Sequence, residues 1–206
     1  MDGESIIESE SELEALYGPA NPNSLAKEAE CLTPAYQQWI EQAPFLAIAS
    51  LGAAGLDCSP RGDEAGSLFR VLDASTIAIP DRPGNNRLDT LRNIVTDPRI
   101  ALLFLIPGIK ESLRINGTAV VVTDDTLIDS FRVYGKSPVT VLVVTIQTIY
   151  FQCGKSLLRS KLWDIDSQAS SENVPTAGEM LKSVMSDFDS SAYDDALAER
   201  QPRGLY

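Results

Sequence analysis

Apolar residues along this chain fall into short clusters of two spacings. Between 45 and 151 they form strand-length runs, and between those runs and at both ends they recur every three or four positions. Residues 9–17 have a Ser N-cap candidate, early acids and a stop at Gly18-Pro19, which predicts a short helix. Residues 24–32 place Leu25, Ala29 and Leu32 on one helical face. Thr33-Pro34 then starts a second helix carrying Tyr36, Trp39 and Ile40, read as core packing.

Strands are predicted at Phe45–Leu51 and Leu56–Arg61, joined through Gly52-Ala53-Ala54-Gly55, and again at Ser67–Leu72 and Thr76–Pro80. Strand alternation puts Asp57, Ser59 and Arg61 on one face, and Pro60, which has no N–H, places this strand at an edge or bulge. Leu88, Leu91, Ile94 and Val95 mark a helix that ends at Asp97-Pro98, before the apolar run Arg99–Ile106. In Ser112–Thr123, residues Leu113, Ile115, Ala119 and Val121 share one face, and Ser112, Arg114, Asn116 and Thr118 share the other. A helix with an Asp cap is expected at Asp124–Tyr134. The long β-branched run Val139–Phe151 should be a strongly bent strand of the kind that closes a barrel. Helical patterns return at Gly154–Trp163, Thr176–Met185 and Tyr193–Arg200. Short strands at this regular spacing point to a barrel or sandwich.

Composition narrows the chemistry. With 206 residues, 44% hydrophobic and 22% charged, the chain suits one globular core with terminal additions. The longest apolar run is cut by Pro107-Gly108, short of a membrane span, and the acidic start MDGESIIESESELE does not read as a signal peptide. A cytoplasmic protein is the expectation. Cys31, Cys58 and Cys153 are scattered, which is neither a disulfide framework nor a zinc site, and Cys58 is expected to be buried and inert. There is no histidine, which removes His-ligated metals, a Ser-His-Asp triad and an imidazole base. An enzyme of this composition takes its chemistry from a cofactor or from Asp, Glu, Lys, Arg and Tyr.

Charge is unevenly spread. Residues 1–58 hold ten acids and one base (−9), residues 59–163 thirteen bases and ten acids (+3), and residues 164–206 nine acids and three bases (−6). The acidity argues against nucleic acid as a partner. Within the basic middle lie two arginine turns, SPRGD (59–63) and DRPGNNR (81–87), the second opening a helix. Arginine forks, Asn amides, a close-approach Gly84 and a helix start together suit a phosphate. The alternative reading of the same turns is a pair of exposed loops with ordinary surface arginines.

Four stretches carry a resemblance: SPRGD at Ser59–Asp63, IPDRPGNNRLDTLRN at Ile79–Asn93, LLFLIPG at Leu102–Gly108, and a CxKxLxRSxLW pattern at Cys153–Trp163. With their order of strands and turns, they resemble a subfamily of the pyridoxamine 5'-phosphate oxidase-related, FMN-binding split-barrel proteins. The resemblance covers roughly residues 10–165. It implies a mainly β fold with flanking helices, a split β-barrel, arranged as a helical segment at 1–43, a barrel domain at 44–165 and an acidic tail at 166–206.

The resemblance further implies a homodimer with FMN in each of two interface clefts. Arg61, Arg82, Asn86 and Arg87, with Asn85 beside them, would contact the phosphate and ribityl side. Backbone around Ser59–Arg61 and Ile79–Asp81, including Pro80, would lie along the isoalloxazine. Ser112 and Arg114 would approach from the partner subunit, and Lys155, Arg159, Ser160 and Trp163 would close the cleft. The implied function is a flavin-dependent oxidoreductase acting on a small molecule. The alternatives are a non-catalytic flavin carrier or sensor and a deazaflavin-dependent reductase. The oxidase's own reaction is disfavoured, because its late Arg-x-His segment has no counterpart in a chain without histidine.

Overall fold

A computed structural model describes residues 6–206; the start of the 1–43 segment, residues 1–5, lies outside the described residues. The helices are α1 (Glu10–Tyr17), α2 (Pro22–Ala26), α3 (Pro34–Ile40), α4 (Asp89–Thr96), α5 (Asp125–Ser130), α6 (Lys155–Ser160), α7 (Ala177–Val184) and α8 (Ser190–Arg200). The strands are β1 (Phe45–Gly52), β2 (Gly55–Gly62), β3 (Arg70–Asp73), β4 (Thr76–Pro80), β5 (Arg99–Leu105), β6 (Ser112–Val122) and β7 (Val141–Gln152). They make a single antiparallel sheet in the order β2-β1-β5-β6-β7-β4-β3. The fold is mainly β with flanking helices, a split barrel.

The sheet curls because its two longest strands bend at a bulge. Asn116 pairs with Thr148 but Gly117 pairs with Ile146, so Gln147 is the extra residue on β7. A Cβ on Gly117 would lie 2.0 Å from the Thr145 carbonyl oxygen, so only glycine allows this approach. Ile48 of β1 and Ile77 of β4, near opposite ends of the strand order, consequently reach the same buried cluster. Phe104, Leu102, Leu113, Ile115, Leu142 and Ile149 fill its centre, each worth about 1.5–3 kcal/mol on burial. Phe69 meets Phe104 edge to face at 5.6 Å.

Most predicted elements are present, with caps where the side chains suggest. Ser9, Thr33 and Asp124 accept from backbone N–H groups at the starts of α1, α3 and α5. The predicted helix at 24–32 is corrected: α2 ends at Ala26, and Ala29 exchanges two backbone hydrogen bonds with Ile149 of β7 at 3.0 and 2.8 Å. A free sheet position beside β7 satisfies this backbone and overrides the weak helical spacing. The predicted strand from Ser67 begins only at Arg70, because Ser67 closes a turn onto Glu64 and Leu68 and Phe69 turn into the core. Cys58 is exposed rather than buried, since the β2 face opposite Asp57, Ser59 and Arg61 faces outward on an edge strand.

Helix α4 positions the cleft. It has no side-chain cap, and its N-cap residue Leu88 is left-handed (φ 61°), as is Asn86 (φ 59°). The helix lies across β1 through a buried bond from Asn93 Nδ2 to Ser50 Oγ (3.1 Å). It packs so close that a Cβ on Gly52 would sit 2.0 Å from Asn93 Oδ1. Residues 166–206 add α7 and α8, which pack on each other through Asp194, the acceptor for Gly178 N and Thr176 Oγ1. Among the described residues no helix is long and apolar enough to cross a membrane.

Candidate functional site

Between β2, the end of β4 and the start of α4 lies a cleft of about 700 Å³. Ser59, Arg61, Pro80, Asp81, Arg82, Asn85, Asn86 and Arg87, eight of the residues singled out in the sequence, line it. The predicted SPRGD turn is corrected: Ser59–Gly62 are the end of β2, paired with Phe45–Ile48, and this strand end and the DRPGNNR turn face one space because α4 folds back over β1 and β2. Leu68, Leu91 and Val139 add an apolar wall. Volume and lining suit a small organic ligand.

Each arginine of the cleft has an aspartate partner, and the three pairs differ in strength. Arg61 faces Asp81 at 3.7 Å, a loose contact. Asp81 is held by its N–H to the Thr140 carbonyl (3.0 Å). Burial raises its carboxyl above the ordinary carboxylate value, and the Arg61 charge only partly opposes this. Arg87 bonds Asp89 at 2.8 Å, but its side chain is 74% exposed; this bond raises the arginine's pKa further. Exposed pairs of that kind exchange at little cost.

Arg82 is different. Its Nε and Nη2 reach Asp63 Oδ2 at 2.9 and 2.8 Å, and its Nη1 donates to the Phe131 carbonyl at 2.8 Å. The Asp63 side chain is only 3% exposed. Each nitrogen of the Arg82 guanidinium thus has a protein partner, whereas Arg61 has one hydrogen bond, from Nη1 to the Pro60 carbonyl at 3.0 Å, beside its loose contact with Asp81.

Sequence reasoning missed the polar floor. Asp57 Oδ2 accepts from Ser59 Oγ (2.9 Å) and from the buried Thr90 Oγ1 (3.0 Å), which ties β2 to the first turn of α4. Strand alternation had put Asp57 on the Ser59 face; Thr90 had no such signal. Thr140 reaches the cleft only through the β4–β7 pairing.

The other predicted residues are elsewhere in the chain. Ser112, buried, pairs with Gln152 across β6 and β7, and Arg114 Nη1 donates to Gln152 Oε1 (3.3 Å) with its guanidinium 5.4 Å from the Tyr150 ring. Lys155, Arg159 and Ser160 are on the exposed α6, and Trp163 Nε1 donates to the Ile109 carbonyl at 2.8 Å. Within one chain these six residues do not line the cleft.

Comparison with known proteins follows this geometry. A family model for pyridoxamine 5'-phosphate oxidase matches residues 32–153. No curated protein matches the chain. Among solved structures, HupZ of Group A Streptococcus is 18% identical over 57% of this chain and 91% of its own, with a TM-score of 0.47. A Clostridium acetobutylicum protein related to general stress protein 26 is 12% identical over 57% and 84%, TM-score 0.43. An FAD binding protein of Mycobacterium smegmatis is 12% identical over 60% and 97%, TM-score 0.41. The family match spans more than half of the sequence and contains both arginine turns and every strand of the sheet: the chain belongs to the pyridoxamine 5'-phosphate oxidase family.

Proposed function

We propose that the cleft binds FMN by its phosphate and that the protein is a flavin-dependent oxidoreductase acting on a small molecule. The observation that carries this reading is the meeting of the arginine-bearing end of β2 and the arginine-bearing turn after β4 on the wall of one cleft at an uncapped helix start. The residues fit a phosphate. Arg61 and Arg87 have loose or exposed partners, and the first-turn N–H groups of α4 have no side-chain cap. Leu68, Pro80, Leu91 and Val139 supply apolar surface for a ring system.

When bound, the flavin would supply the redox chemistry. The chain's part is to bind, orient and exclude water. Arg61 and Arg87 would leave their aspartates for the phosphate, and the Asp57–Ser59–Thr90 bonds would hold β2 against α4. Asp81, whose carboxyl burial raises above the ordinary carboxylate value, would hold Arg61 at the cleft until the phosphate takes its place.

A homodimer belongs to the same proposal. Ser112, Arg114, Lys155, Arg159, Ser160 and Trp163 would reach the cleft of the partner subunit, with cytoplasmic protein as the setting. The test is titration of ligand-free protein with FMN, riboflavin and a deazaflavin, followed by anaerobic reduction with NADH or NADPH and reoxidation in air. Failure to bind FMN overturns the cofactor assignment. Binding without reduction by any donor favours the carrier reading.

A further inference from the structure

Residues 166–206 contribute nothing to the buried clusters among the described residues, yet the chain returns from this segment to the cleft wall. Across 201–206 the side chains are exposed until Tyr206, which is partly buried. Its hydroxyl donates to Asp63 Oδ1 at 2.5 Å, a contact spanning 143 positions. Its ring lies 5.3 Å from the Arg82 guanidinium and meets Tyr134 edge-on at 5.5 Å. Its carbonyl oxygen accepts from Lys136 Nζ. Three different parts of one side chain and its backbone are thus engaged.

Two of the residues it engages join the end of β2 to the arginine turn after β4. Asp63 directly follows β2, two positions after Arg61, and Arg82 follows Asp81 in the turn after β4. The Asp63–Arg82 pair therefore spans the same gap as the Arg61–Asp81 pair. Asp63 also accepts the Glu64 N–H at 2.9 Å, and Tyr206 fills its remaining direction. With its edge donors bonded, Arg82 presents its face to the Tyr206 ring. A carboxylate this enclosed is held firmly only when its acceptor sites are filled.

We propose that Tyr206 is a positioning residue of the cleft: the tail segment acts as a latch that, by closing the Asp63–Arg82 pair, fixes the spacing between the end of β2 and the DRPGNNR turn and so sets the affinity for an anionic ligand. The affinity part rests on the cofactor reading above; the latch itself does not. Tyr206 touches no ligand atom in this scheme and acts through Asp63 and Arg82.

Hydrogen exchange of the ligand-free full chain and FMN titration, both on wild type, Tyr206→Phe and Tyr206→Ala, test it. Tyr206→Ala is expected to speed amide exchange across residues 61–64 and 81–86 by about ten-fold, with β5 and β6 unchanged. FMN binding should weaken by about ten-fold. Tyr206→Phe keeps the ring and should recover part of both effects, which general destabilisation would not produce. Unchanged exchange in both variants overturns the latch. Faster exchange with unchanged FMN affinity overturns its role in binding. If wild type takes up no FMN while exchange still responds, the latch stands and the cofactor reading falls.

Discussion

Arg82 and Asp63, nineteen positions apart, form a two-pronged ion pair at 2.8 and 2.9 Å, which holds the most buried arginine side chain of the cleft. It ties the chain just after β2 to the turn after β4. Arg61, by contrast, meets its aspartate only at 3.7 Å, and the Arg87 pair is exposed.

Arg82→Ala should consequently act on stability. It leaves Asp63 enclosed without its counter-ion, a change that costs about 3–5 kcal/mol for buried pairs. Thermal unfolding in the absence of ligand checks this. An unchanged midpoint would show that Asp63 finds another partner.

Arg87→Ala should do the opposite. Its exposed side chain contributes little to the fold, so the midpoint should stay put. FMN affinity should fall by roughly ten- to a hundred-fold, with riboflavin much less affected. Equal losses for FMN and riboflavin would mean that Arg87 does not read phosphate.

Asp81→Asn should strengthen FMN binding by roughly three- to ten-fold, because it releases Arg61 and removes a negative charge from the cleft. The sign with pH follows. The raised carboxyl favours the folded state when protonated, so its stabilising contribution is present below the ordinary Asp value. It is lost as pH rises through the raised value. The variant's stability should therefore fall less over that window. Parallel pH curves for variant and wild type would contradict this.

An ultraviolet titration should reveal one late tyrosine. The hydrogen bond to Asp63, with burial and the Asp63 and Glu64 charges, pushes the Tyr206 hydroxyl up to about 12, against the opposing Arg82 charge. A raised hydroxyl contributes stability that is complete below the ordinary tyrosine value and lost as pH rises through about 12. Tyr206→Phe should abolish the late step. Its persistence in that variant would assign it to another of the six tyrosines.

Sedimentation should give twice the chain mass of 22.3 kDa. A fully FMN-loaded monomer would exclude the contribution of Ser112, Arg114 and the α6 residues from a partner subunit.

The linear sequence by itself determined most strands, most helix starts and the arginines and asparagines that line the cleft, Arg61, Arg82, Asn85, Asn86 and Arg87. Each of these depends on neighbours within a few positions: a two-residue alternation, a cap, a proline or a cluster of arginines. It could not determine which arginine is free. That depends on Asp63 being brought beside Arg82 and on Phe131 offering its carbonyl, contacts that exist only once the sheet has curled. The failed helix at 24–32 has the same origin, since Ala29 answers to Ile149 across the fold rather than to Leu25 along the chain. Tyr206 is the extreme case. No local signal marks it, because its partners are chosen by tertiary proximity alone.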